Sequence, residues 1–198
     1  MRLYDSPVSG NCYKVRLLLA QLGLPYERVE LDVVDRSDRA QVLGGLNPAL
    51  RVPTLVLDDG RALGESNAIL WYLADGTHFV PADAFERAQV LQWQFFEQYD
   101  HEPNVAVARF WLTKRPGEAD PERLAAWHAG GYRALDALER HLGGRAFLVA
   151  GRYTIADVSL YAYTHVADEG GFELARYPAV RGWLERVAAQ PGHVPIGA

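Results

Sequence analysis

The chain is nearly without cysteine: Cys12 stands alone among 198 residues. No internal disulfide can form and no Cys-x-x-Cys pair exists, so dithiol redox chemistry has no support and a reducing, cytoplasmic setting is expected. Positive charge is also short. The 20 Lys and Arg are outnumbered by 25 Asp and Glu, for a net charge of −5. No surplus of cations is left to neutralise phosphates, which argues against nucleic acid as a partner. Lys14 and Lys114 are the only lysines. No apolar run approaches the ~20 residues that span a bilayer, so no membrane partner is expected. Met1-Arg2-Leu3-Tyr4-Asp5 enters a strand-like pattern without an apolar leader. P-loop, Gly-x-Gly-x-x-Gly and Gly-x-Ser-x-Gly motifs are absent. The six histidines show no metal-ligand spacing, so no metal is expected.

What is present falls into two halves. Residues 1–74 alternate short apolar runs with helical patterns. Arg2–Tyr4 reads as a strand, and Cys12–Leu22 as a helix from Val15, Leu18, Leu19 and Leu22, stopped by Gly23 and Pro25. Tyr26–Leu31 alternates as a half-buried strand, and residues 37–44 make a short helix. Thr54–Leu57 and Arg61–Leu63 flank Asp58-Asp59-Gly60, a hairpin turn, and Ser66 reads as the cap of a helix over Asn67–Ala74. The order is βαβαββα. After a linker at Asp75–Pro81 the period is helical throughout: 83–111, with Pro103 expected to break or kink it, then Glu122–Leu142, Thr154–Asp168 and Pro178–Ala189. The expected organisation is an α/β domain over 1–76 packed on an all-α domain over 84–198.

Several places could carry chemistry. Ser9-Gly10-Asn11-Cys12 lies between the first strand and first helix, where N–H groups and a positive helix end converge on one point and suit an anion. A hydroxyl there could donate to a thiolate. The plain alternative is a turn at Ser9 and a helix cap at Asn11. Cys12 in the first turn is either a lowered-pKa thiol or a small buried apolar residue, and packing is favoured. In Arg51-Val52-Pro53-Thr54 base rates favour a trans bond before Pro53. Were it cis, the backbone of Val52 would turn outward and could pair with an extended peptide. Glu65-Ser66 puts a carboxylate beside a helix start, which suits the ammonium and carboxylate of an amino acid, although a plain N-cap is the simpler reading. Thr154-Ile155-Ala156-Asp157 is a capping box with Tyr153 and Val158 as its staple. Asn104, Arg109 and Phe110 sit with other aromatic and polar residues on a long helix and could line a substrate cleft or belong to the core.

Together, the Ser-x-x-Ser-Gly-Asn-Cys loop, Leu46-Asn47-Pro48 leading to Arg51-Val52-Pro53-Thr54-Leu55, Glu65-Ser66-Asn67-Ala68-Ile69 and Tyr153-Thr154-Ile155-Ala156-Asp157 resemble the cytosolic glutathione transferases. The resemblance spans nearly the whole chain. It implies a thioredoxin-like N-terminal domain, an all-helical second domain bearing an electrophile cleft, a cis bond at Val52–Pro53, and a homodimer engaged in detoxification. Glutathione would be the co-substrate and a small apolar electrophile its partner in reaction. Val52 and Pro53 would meet the cysteinyl backbone, Glu65 and Ser66 the γ-glutamyl end, Arg51 the tripeptide, and Arg39 the glycine carboxylate. Ser9 falls where serine-type members carry their activating hydroxyl, with Asn11 a second candidate donor. The resemblance leaves open a glutathione-dependent disulfide reductase of the same fold, or a non-catalytic regulator that binds a protein partner.

Overall fold

The computed structural model describes residues 1–198, which divide into two compact units, Met1–Thr77 with Pro191–Ala198, and His78–Gln190. In the first unit the order is β1 (Arg2–Asp5), α1 (Gly10–Leu22), β2 (Glu27–Glu30), α2 (Arg39–Leu43), β3 (Thr54–Val56), β4 (Ala62–Leu63) and α3 (Ser66–Ala74). The sheet runs β2-β1-β3-β4, with β1 parallel to β2 and antiparallel to β3, and β3 antiparallel to β4. This is the thioredoxin-like arrangement. Leu3 faces Leu55 across the sheet, and α1 packs on α3; Leu3, Leu55, the α1 residues Val15, Leu18 and Leu19 and the α3 residues Ile69 and Leu70 are all fully buried. The Asp59-Gly60 turn forms as the residues dictate: Gly60 takes φ 86°, which a side chain would strain, and Leu57 N–H donates to Arg61 O at 2.9 Å.

One face of α1 carries unusual polarity. The Asp5 carboxylate at the end of β1 is wholly buried and takes Arg16 Nη1 and Arg28 Nε, each at 2.6 Å. The same guanidinium groups hold the returning C-terminal segment: Arg16 Nη2 donates to Ile196 O and Arg28 Nη1 to Ala198 O, while Tyr13 Oη donates to Val194 O at 2.7 Å. A buried cation without such partners would be costly; here burial is offset by a carboxylate and main-chain carbonyls.

The second unit is all helical: α4 (Ala84–Phe96), α5 (Glu102–Lys114), α6 (Pro121–Leu142), α7 (Ile155–Thr164) and α8 (Pro178–Ala188). Pro103 does not break the long stretch. A π-helical turn over Glu97–His101 joins α4 to α5, with Glu102 N–H bonded back to Glu97 O. The proline ring clashes with the carbonyl four residues earlier and offers it no donor, and the wider turn accommodates both. Helix α7 ends at Thr164, short of the expected Asp168, and a 3-10 turn over Ala167–Gly170 follows. Thr164 Oγ1 bonds Leu160 O at 2.6 Å and His165 Nδ1 lies 2.8 Å from Tyr161 O, so side chains draw on the last helical carbonyls. The capping box is present. Thr154 Oγ1 accepts from Ala156 N at 3.3 Å and Asp157 Oδ2 accepts from Thr154 N at 2.9 Å. Asp157 Oδ1 also takes Leu148 N at 3.0 Å and Trp183 Nε1 at 2.9 Å, which ties α7 to α8.

Candidate functional site

The loop leaving β1 turns at Ser6–Ser9, with Ser9 N–H on Ser6 O at 3.1 Å. Ser9 has extended backbone (φ −79°, ψ 122°) and caps α1, its Oγ accepting from Cys12 N at 3.3 Å. The cap is thus Ser9 and not Asn11, because Asn11 already has helical backbone. Within the chain, the Ser9 hydroxyl proton has the Cys12 sulfur as its acceptor. A serine so placed spends a lone pair on the helix, and its proton can turn from that weak sulfur acceptor to an external anion at the positive helix end. Cys12 is fully buried, and burial pushes its thiol up to about 12. It is a packing residue and supplies no thiolate at neutral pH.

Asn11 turns toward α3. Its Oδ1 accepts from Lys14 Nζ at 2.7 Å and from Ser66 Oγ at 3.3 Å, and Lys14 Nζ also lies 3.4 Å from Ser66 Oγ. The starts of α1 and α3 are therefore adjacent. Ser66 is the first residue of α3 rather than its cap. The cap position is Glu65, whose side chain makes no capping bond and whose backbone adopts φ 62° and ψ 112°. A left-handed non-glycine residue is strained and persists only where its surroundings hold it. The effect here is to present an exposed carboxylate beside an α3 N-terminus that the Glu65 side chain itself does not cap.

Between these helices the chain passes through Arg51-Val52-Pro53. The Val52–Pro53 bond is cis, against the base-rate expectation and as the family resemblance implies. The turn is held from behind by Asn47: its Nδ2 donates to Arg51 O at 3.2 Å and to Thr54 Oγ1 at 2.9 Å. A Cβ at Gly64 would stand 2.8 Å from Asn47 Nδ2, so the β4–α3 link must be glycine there. Arg51 is exposed. Arg39 is the opposite, 4% exposed, with Nη2 donating to Asp32 O and Nε buried without an acceptor. Burial lowers its pKa below the usual guanidinium value.

In the helical unit, Asn104 lies where α5 crosses α6, its amide against Gly130 and its Nδ2 on Asp100 O at 2.6 Å. Arg109 pairs with Glu169 at 2.8 Å, and Phe110 is half-buried with its edge toward Trp111. The three share α5, and each has a partner within its own unit. Two residues that shape the first unit's site escaped sequence reasoning. Asn47 stands out in the sequence only as part of the Leu46-Asn47-Pro48 motif. Lys14 reads as one more polar residue of a helix, and only its place on the apolar face, one residue before Val15 and four before Leu18, hints otherwise.

The N-terminal glutathione S-transferase domain model matches residues 3–77, and the C-terminal domain model matches residues 121–186. This chain belongs to the glutathione S-transferase family. Among solved structures, a glutathione S-transferase from Pseudomonas fluorescens superposes with TM-score 0.95 at 49% identity, covering 98% of each chain. Glutathione S-transferase 3 of Zea mays is 32% identical, over 96% of this chain and 90% of its own. The disulfide-bond oxidoreductase YfcG of Escherichia coli is 28% identical over the same shares. The transferase fold thus covers the full chain.

Proposed function

We propose that this transferase-family chain ionises the thiol of glutathione at the start of α1 and delivers the thiolate to a small apolar electrophile. The observation that carries this is the disposition of Ser9: its oxygen caps α1 through Cys12 N at 3.3 Å, and its rotatable hydroxyl, which faces only the weak acceptor of the Cys12 thiol, can turn to a ligand at the same helix end. A free thiol has pKa ~8.5 and is only a few per cent ionised at pH 7; lowering it by two units takes about 2.7 kcal/mol. One hydrogen bond to a charged acceptor supplies about 1.5–3 kcal/mol, and a helix N-terminus adds about 0.3–1 kcal/mol. The two together suffice.

The tripeptide lies extended along the first unit. The Val52 N–H and C=O bond its cysteinyl backbone, with Pro53 fixing the turn, in the manner of an added strand. Glu65 takes the γ-glutamyl ammonium, and the start of α3 at Ser66 takes the α-carboxylate. Arg51 is the exposed cation for the tripeptide. Arg39 serves the glycine end only if its buried guanidinium turns outward. Asn11 is the second donor at the thiol end. The electrophile is met by the helical unit, where Asn104 and Arg109 brace α5 and Phe110 offers an apolar surface. Retention on a glutathione column together with turnover of an aryl halide tests the assignment. A folded protein that passes through the column would refute it and favour a regulator that binds a protein partner.

A second reading is reduction of disulfides, favoured by the likeness to YfcG. With Cys12 buried and protonated, both reducing equivalents would come from glutathione: two molecules are oxidised to glutathione disulfide as one disulfide becomes two thiols. Faster turnover of a glutathionylated disulfide than of an aryl halide would select this reading. We further propose a homodimer through α4 and the π-helical turn after it, where Phe85, Leu91 and Phe95 of α4 and Tyr99 of the turn are 71%, 38%, 69% and 84% exposed. Light scattering should give twice the 22.0 kDa chain mass.

A further inference from the structure

We infer that Lys14 is a positioning residue that fixes which end of the Asn11 amide faces the tripeptide. Lys14 is 0% exposed, and its Nζ lies 2.7 Å from Asn11 Oδ1 and 3.4 Å from Ser66 Oγ. An ammonium only donates, so the amide atom facing it must be the oxygen. The reversed amide would set NH₂ against NH₃⁺, donor against donor. Ser66 Oγ, 3.3 Å away, adds a second donor to the same oxygen. With Oδ1 fixed inward by two donors, the Nδ2 end is turned away from Lys14. Asn11 therefore meets a ligand as a hydrogen-bond donor, and the atom opposite it must be an acceptor: a thiolate or a carboxylate, not an ammonium or a hydroxyl proton.

The spacing makes the device local. Asn11 and Lys14 are three residues apart on α1, so their side chains lie one above the other on one face. The lysine stem passes through the core between α1 and α3 and delivers one charge to the two helix starts. Ser66 shares that charge, so the hydroxyl of Ser66 can turn from Asn11 Oδ1 to a bound carboxylate while Lys14 keeps the amide in place. The inference deepens the proposed glutathione site and rests on that reading for its ligand, but the link between Lys14 and Asn11 stands on the contacts alone.

Glutathione binding is measured by calorimetry for Lys14→Met, Lys14→Gln, Asn11→Ala and the Lys14→Met/Asn11→Ala double variant. Lys14→Met keeps length but loses the donor, and affinity should fall about tenfold. Lys14→Gln keeps an N–H for Asn11 Oδ1 and should recover most of that loss. If Lys14 acts through Asn11, the double variant binds no more weakly than Asn11→Ala alone. Additive losses, or unchanged binding in Lys14→Met, overturn the inference. A second readout needs no ligand. The Asn11 side-chain NH₂ resonance, assigned by its disappearance in Asn11→Ala, should shift in Lys14→Met and return toward its original position in Lys14→Gln. An unmoved resonance overturns the inference even if Lys14→Met proves unstable. If the parent protein binds no glutathione, the proposed function fails, and the resonance alone decides the role of Lys14.

Discussion

Helix α1 carries two buried cations, Lys14 and Arg16, two residues apart and on opposite sides of the helix. Arg16 meets a buried carboxylate, Asp5, and the carbonyls of the C-terminal segment. Lys14 meets the neutral oxygens of Asn11 and Ser66 at the starts of two helices. The first arrangement closes a charge pair on itself and anchors a chain end. The second organises acceptors and donors around a place where a ligand can sit. Burial alone does not distinguish structural from functional charge; the partners do.

The largest effect should come from the closed pair. Asp5→Ala leaves Arg16 and Arg28 facing a vacated site and should cost about 3–5 kcal/mol. Denaturant unfolding reads this, and glutathione affinity of the folded fraction should not change. A weakened affinity at intact stability would erase the contrast between the two sides of α1. Asp157 in the helical unit is of the same closed type. Asp157→Ala removes a cap and strands the buried N–H groups of Leu148 and Trp183, for about 2–4 kcal/mol. A loss under 1 kcal/mol in the same unfolding experiment would show those donors to be dispensable.

The site should behave in the reverse way. Glu65→Gln is expected to raise KM for glutathione about tenfold, with kcat nearly unchanged and stability shifted by less than about 0.5 kcal/mol. Its carboxylate would hold the γ-glutamyl end in ground and transition states alike. An unchanged KM in the folded variant would remove Glu65 from the site. The smallest effect belongs to Cys12. Cys12→Ala should cost about 1 kcal/mol of packing and leave turnover intact, and a disulfide reagent should fail to label the native thiol, which is buried and pushed up to about 12. Loss of turnover in Cys12→Ala would make the chemistry covalent.

What the sequence made legible was mostly local. The Thr154–Asp157 box and the Asp59-Gly60 turn depend on residues two or three apart, and both formed as read. The order of strands and helices followed from period and punctuation, and the transferase resemblance from four motifs in register. The sequence points to Asn11 as the α1 cap where the structure has Ser9, because both are cap-competent and two positions apart; the backbone turn at Ser6–Ser9 decides between them. Ser66 reads as a cap in the sequence because the positive φ of Glu65 has no signature in an acidic residue. Lys14 has no sequence signature of its role because its partner Ser66 is 52 residues distant and a helical lysine is ordinarily solvated. Arg39 was expected to reach outward, and its burial depends on the Asp32 carbonyl, which sequence does not position. The electrophile side was least legible, since aromatic and polar residues on α5 serve a helix crossing or a binding surface with the same composition.

The central claim is that the Ser9 hydroxyl stabilises the thiolate, and ultraviolet titration of bound glutathione tests it most directly. Ser9→Gly is the variant of choice, because glycine at an N-cap costs only a few tenths of a kcal/mol whereas alanine costs about 1 kcal/mol. The pKa of bound thiol should rise by about one to two units, or about 1.4–2.7 kcal/mol. At neutral pH the rate should fall about ten- to a hundredfold, and the deficit should shrink as pH rises past the new pKa and the thiol ionises unaided. Asn11→Ala, titrated alongside, should shift less. A Ser9→Gly curve that overlays the parent while Asn11→Ala moves upward would contradict the account and transfer thiolate stabilisation to Asn11.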